Sequence, residues 1–74
     1  MSYKMIFCDG QKRVACNFAG ALSHASRFIS NLPVSWTEMI KIRRELTDSY
    51  EANYDVNGEV VEFGVDPFVK ATKI

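Results

Sequence analysis

The spacing of apolar residues changes period twice along this chain, and that change constrains its fold more than any other feature. Tyr3, Met5 and Phe7 recur at every second position, Ala21, Leu22, Ala25, Phe28, Ile29 and Leu32 recur at helical spacing, and alternation returns from Tyr50 onward. A period of two marks a strand with one buried face, and a period near 3.6 marks a helix with one apolar stripe. The expected order is β, β, α, α, β, β. This is a small α+β domain over residues 1–74, an antiparallel sheet of two hairpins packed against two short helices.

Punctuation residues set the expected boundaries. Tyr3 to Cys8 is answered by Val14 to Phe18 across Asp9 and Gly10, which reads as a hairpin. With the turn at Gly10 and Gln11, Met5 falls opposite Cys16 and Cys8 opposite Arg13. One face then carries Tyr3, Met5, Phe7, Val14, Cys16 and Phe18, and the other Lys4, Ile6, Arg13, Ala15 and Asn17. The first helix begins at Ala21 and ends before Pro33, which disfavours helical geometry at Leu32. Ser35 to Glu38 matches a capping box for the second helix, whose buried stripe is Met39, Ile42 and Leu46 and whose end is the polar run Thr47 to Ser49. A second hairpin turns at Asn57 and Gly58, placing Tyr50, Ala52, Tyr54 and Val56 on a face with Val61, Phe63 and Val65. Phe68 and Val69 dock on the body, and Lys70 to Ile74 form a loose tail.

In that register Cys8 and Cys16 point to opposite faces. A slip of one residue leaves them about 13 Å apart along the strands at about 3.3 Å per residue, beyond the Cα separation of about 7 Å that a disulfide spans. Two free thiols suit a reducing compartment, and the N-terminal apolar stretch, broken by Cys8 and Asp9, is too short for a secretory or spanning segment. A cytoplasmic chain with no membrane partner is the expectation. Nine Lys and Arg balance nine Asp and Glu, which removes a global drive toward nucleic acid. At 74 residues the core is small, and a dimer interface is one way such a chain gains stability.

No catalytic, cofactor or metal site is expected. Gly10, Gly20, Gly58 and Gly64 are isolated, and no phosphate-cradling loop, zinc-protease helix or nucleophile elbow occurs. His24 shares a solvated helix flank with Arg27 and Asn31, Cys16 points inward as a small hydrophobe, and two Cys with one His match no zinc spacing.

The second helix holds the residues that fit a binding surface best. Trp36, Ile40 and Arg43 form an i, i+4, i+7 stripe beside the core stripe. Either Trp36 and Ile40 fill the core under the methylenes of Arg43, whose head meets water or a carboxylate such as Glu51 or Asp66, or the stripe is a contact surface. Trp and Arg are the residues most enriched at interface hot spots. With Lys41 and Arg44 beside it, the same helix is also a candidate for phosphate contact, Trp36 stacking on a base, although Glu38 and Glu45 interrupt the basic track. Glu51, Asp55 and Glu62 mark the second hairpin as an acidic face suited to a basic partner. The expected function is therefore non-enzymatic binding to another protein, in the manner of the small inhibitors and regulators that phages and other mobile elements use. The alternative is nucleic-acid binding through Trp36, Lys41, Arg43 and Arg44.

Overall fold

The computed structural model describes residues 2–74. Two turns of one design shape it. In the first, the Gly10 N–H donates to the Phe7 carbonyl at 3.0 Å and the Phe7 N–H to the Gln11 carbonyl at 2.9 Å, while Gly10 has a φ of +86°. The loop is thus Cys8, Asp9 and Gly10, with glycine in the left-handed region that this three-residue hairpin connection demands. Around Gly58, with a φ of +76°, the Gly58 N–H donates to the Asp55 carbonyl at 3.1 Å and the Asp55 N–H to the Glu59 carbonyl at 2.8 Å.

The first turn fixes the register between β1 (Tyr3–Phe7) and β2 (Lys12–Ala15): Met5 faces Arg13 and Tyr3 faces Ala15. The expected pairing of Met5 with Cys16 is wrong by three positions. An odd slip exchanges faces, so Ala15 is buried while Val14 is 68% exposed and Cys16 is exposed. Arg13 and Ala15 move to the side of Met5, and Asn17 and Phe18 leave the strand. Asn17 caps α1 (Phe18–Ser30), its Oδ1 accepting from the Gly20 N–H at 2.7 Å, so the helix starts three residues before Ala21. Ala21, Ala25 and Ile29 are its buried stripe.

At α2 (Trp36–Glu51) the Ser35 Oγ accepts from the Glu38 N–H at 3.2 Å, and Met39, Ile42 and Leu46 are buried as expected. The helix does not end at Ser49. Tyr50 continues its inward stripe one turn beyond Leu46, its ring centroid 5.3 Å from that of Phe18 and 6.3 Å from that of Phe63. The strand expected over Tyr50 to Val56 is therefore absent, reduced to a single bridge between Tyr54 and Val60. Helical burial of Tyr50 in an aromatic cluster outweighs the local alternation.

The second hairpin lies further along, from β3 (Glu62–Val65) to β4 (Val69–Lys73) across Asp66 and Pro67, with Val65 facing Val69. Phe68 and Val69 pack on the body as expected, but residues 70–74 are no loose tail. β4 pairs along its whole length with β1, giving a four-stranded antiparallel sheet in the order β2-β1-β4-β3. The inner face stacks Arg13–Met5–Ala71–Phe63 in one row and Phe7–Val69–Val65 in the next, both under the helices. Ala71, fully buried between Met5 and Phe63, leaves room for those larger neighbours. The outer face is open, with rows Lys12–Ile6–Lys70–Gly64 and Val14–Lys4–Thr72–Glu62. Tyr3, 2% exposed, ties the sheet to the loop before β3 by donating its hydroxyl to the Val60 carbonyl at 2.6 Å.

Gly64 is required by this register, because a Cβ there would sit 2.2 Å from the Val69 carbonyl oxygen and 3.0 Å from Lys70 Cα. Gly58 is required only by its φ, since nothing lies near its missing Cβ. In urea unfolding, Gly64→Ala is expected to cost about 3 kcal/mol and Gly58→Ala about 1 kcal/mol. A near-neutral Gly64→Ala would contradict the β3–β4 register.

Candidate binding surfaces

Helical geometry places Trp36, Ile40 and Arg43 within one narrow sector of α2, next to the buried sector of Met39, Ile42 and Leu46. Their side chains do not join the core. Trp36, the first residue of the helix, is 78% exposed, and Ile40, one turn on, is 42% exposed. The core-filling reading of these two residues thus gives way to a surface stripe. Arg43 pairs with neither Glu51 nor Asp66. Its Nη2 instead donates to Ser30 Oγ at the end of α1, and its carbonyl accepts from Thr47 Oγ1 at 3.2 Å. The guanidinium is held across the two helices, while Lys41 and Arg44 are exposed on the same helix as Trp36 and Ile40.

The expected acidic face does not assemble, because the strand that was to carry it is helix and loop. Glu51 ends α2 and Glu62 points to the open side of the sheet. Asp55 serves the loop itself. Its Oδ1 accepts from the Asn57 N–H at 2.8 Å and the Glu59 N–H at 3.0 Å, and its Oδ2 lies 2.8 Å from Lys73 Nζ. Lys73 also stands 3.0 Å from Glu59 Oε2, so one ammonium clamps both arms of the loop to β4. The hydrogen bond from Lys73, followed by the backbone bond from Glu59, lowers Asp55 from an ordinary 3.8 to about 2. The hydrogen bond to Asp55 raises Lys73, and burial raises the Tyr3 hydroxyl.

A further cluster depends on the β1–β2 register set by the three-residue loop. With Arg13 on the helix side, it joins His24 and Arg27 of α1 around a cavity of about 160 Å³, together with Gln11 and Asn31 over Phe7 and Phe28. Helical spacing alone groups His24, Arg27 and Asn31, whereas Arg13 joins them only through the three-residue loop. Cys8 and Cys16 are free and exposed. Among the described residues no group of three His, Cys, Asp or Glu side chains is placed to hold a metal, and no helix is long and apolar enough to cross a membrane. No protein-family model matches the chain, and neither a curated protein nor a solved structure does.

The lowered Asp55 sets an acid limb to stability. A carboxylate with a depressed folded-state pKa contributes stability that is present above its ordinary 3.8 and lost as pH falls toward about 2. Asp55→Asn keeps an oxygen acceptor for the two loop N–H groups and removes the charge. Melting temperatures measured between pH 5 and pH 2 (a range of about three units around these values) are expected to fall less steeply in Asp55→Asn than in the native chain. Parallel curves would show that the Lys73 clamp contributes nothing.

Proposed function

We propose that this chain is a non-enzymatic binding module that acts by docking on another protein through Trp36, Ile40 and Arg43 of α2, with Arg44 at the rim. The observation that carries the reading is the exposure of Trp36, the chain's single tryptophan, at 78% beside an exposed Ile40. A large indole left in water next to a second apolar side chain is an unspent source of association free energy. Arg43 adds a charged group already fixed by Ser30, so less side-chain freedom is lost when a partner meets it. The fitting partner surface is an apolar recess for the indole with a carboxylate or carbonyl rim for the guanidinium groups. A chain of this size that covers such a recess acts as an inhibitor or regulator of the protein that owns it.

Exposed Glu38 and Glu45 lie on the same helix as Lys41, Arg43 and Arg44, and they weaken the case for phosphate contact. The two partner classes separate by salt, since neutralising phosphates makes affinity fall steeply with ionic strength whereas apolar docking does not. The test uses Trp36 as its own reporter. In the free chain its fluorescence is expected to be quenched readily by acrylamide, and on addition of the protein captured by the native chain from its source cells it is expected to become shielded. Trp36→Ala and Arg43→Ala are each expected to weaken that capture by at least about 2 kcal/mol with little change in melting temperature. Unchanged capture by Trp36→Ala rules the stripe out, and a captured nucleic acid with a steep salt slope supports the phosphate alternative.

A further inference from the structure

The two edges of the sheet are finished differently. At β3 the outward Gly64 N–H donates to Ser49 Oγ of α2 at 2.8 Å, and the Val61 N–H just before the strand donates to the Asn53 carbonyl at 2.8 Å. That edge is covered by the chain itself. At β2 the hydrogen-bonded pair of Phe7 with Gln11 fixes the alternation: Gln11, Arg13 and Ala15 turn their backbone groups toward β1, and Lys12 and Val14 turn theirs away. Among the described residues nothing meets the N–H groups of Lys12 and Val14, and the Val14 side chain is 68% exposed. An open edge of this kind is a template for another strand.

The charge on both sides of this edge has one sign. Toward the helices the charged groups are Arg13 and Arg27, which with His24 line the cavity floored by Phe7 and Phe28, whose ring centroids are 4.7 Å apart. Toward the open face lies Lys12, with Lys4 on the next strand. The acid nearest in the hairpin, Asp9, is turned into its own loop, where its Oδ1 accepts from the Gln11 N–H at 3.0 Å. A second copy of this chain is a poor occupant, because antiparallel pairing of β2 with itself gathers the Lys12 and Arg13 of both copies on one short ribbon whose strands carry no acidic residue to offset them.

We propose that β2 receives an extended acidic segment of a partner protein as a fifth strand, with alternate carboxylates entering the cavity among Arg13, His24 and Arg27. The backbone groups of Lys12 and Val14 supply the pairing, and the guanidinium groups of Arg13 and Arg27 supply the selectivity for acid. This surface is separate from the α2 stripe, and neither depends on the other.

The test is a titration of the full ¹⁵N-labelled chain with a capped peptide of alternating Glu and Val, with its Lys and Val counterpart as control. The acidic peptide is expected to give saturable amide shifts and slowed exchange at Lys12 and Val14, and the basic peptide none. Val14→Pro removes the outward N–H without touching the pairing to β1, a substitution that edge strands tolerate. It is expected to weaken binding at least tenfold. Should Val14→Pro fail to fold, the double variant Arg13→Glu, Arg27→Glu carries the same expectation. The proposal is overturned by equal binding of both peptides, by no saturable shift up to millimolar peptide, or by native affinity in the folded variants. It is also overturned if inorganic phosphate alone reproduces every shift, which marks a small-anion site, or if the free native chain sediments as a dimer that Val14→Pro converts to monomer.

Discussion

The pairing of β1 with β4 joins the two ends of the chain, setting Tyr3 against Lys73, Met5 against Ala71 and Phe7 against Val69. Neither hairpin alone could hide its inner face, since a two-stranded ribbon is marginal in water. Side by side, they make a four-stranded surface broad enough for both helices, and the seam is deeply buried, with Met5 and Ala71 fully buried and Val69 3% exposed. The loop that the seam closes spans most of the chain. Its entropic cost grows only slowly with length, and the apolar area buried beneath α1 and α2 offsets it. Tyr3 extends the seam to the loop before β3, and Lys73 clamps that loop from β4.

With both helices on one face, the outer face of the sheet is left to solvent and the helices present their far sides. What each surface offers follows from position. The β3 edge lies under the C-terminal half of α2, so its free groups find Ser49 and Asn53. The β2 edge has no segment meeting its outward backbone groups, and Lys12 and Arg13 stay exposed there. Trp36 stands at the first position of α2, before the helix stripe of Met39, Ile42 and Leu46 reaches the core, and is thereby left out of the packing.

The α+β class and the order of elements were legible in the sequence because they rest on period, which local residues dictate. The Ser35 cap and the buried stripe of α2 were legible for the same reason. What failed was register. Gly10 and Gly58 were correctly read as turn residues, but a two-residue loop and a three-residue loop differ only in where the left-handed glycine sits, and each changes which side chains face inward. Val14 and Ala15 exchanged faces for this reason, and with them Arg13 came to the helix side. Ser49 read as a helix stop because its hydroxyl competes with backbone groups locally, whereas here it serves a strand fifteen residues away. The residues of β4 alternate, but Lys70 and Lys73 give the segment the composition of a tail, and only its partners on both sides make it a central strand.

For the candidate surfaces, helical spacing named Trp36, Ile40 and Arg43, and the structure leaves Trp36 and Ile40 exposed on that stripe. The acidic trio of Glu51, Asp55 and Glu62 depended on the strand that does not form, and it dissolved with that strand. Native-state amide hydrogen exchange tests the central claim most directly. The amides that join β1 and β4, those of Ile6 and Lys70 among them, are expected to exchange only through global unfolding, and those of Lys12 and Val14 as fast as open backbone. If the β4 amides exchange as quickly as those of Val14, the C-terminal strand is not the centre of the sheet, and the account built on that seam is wrong.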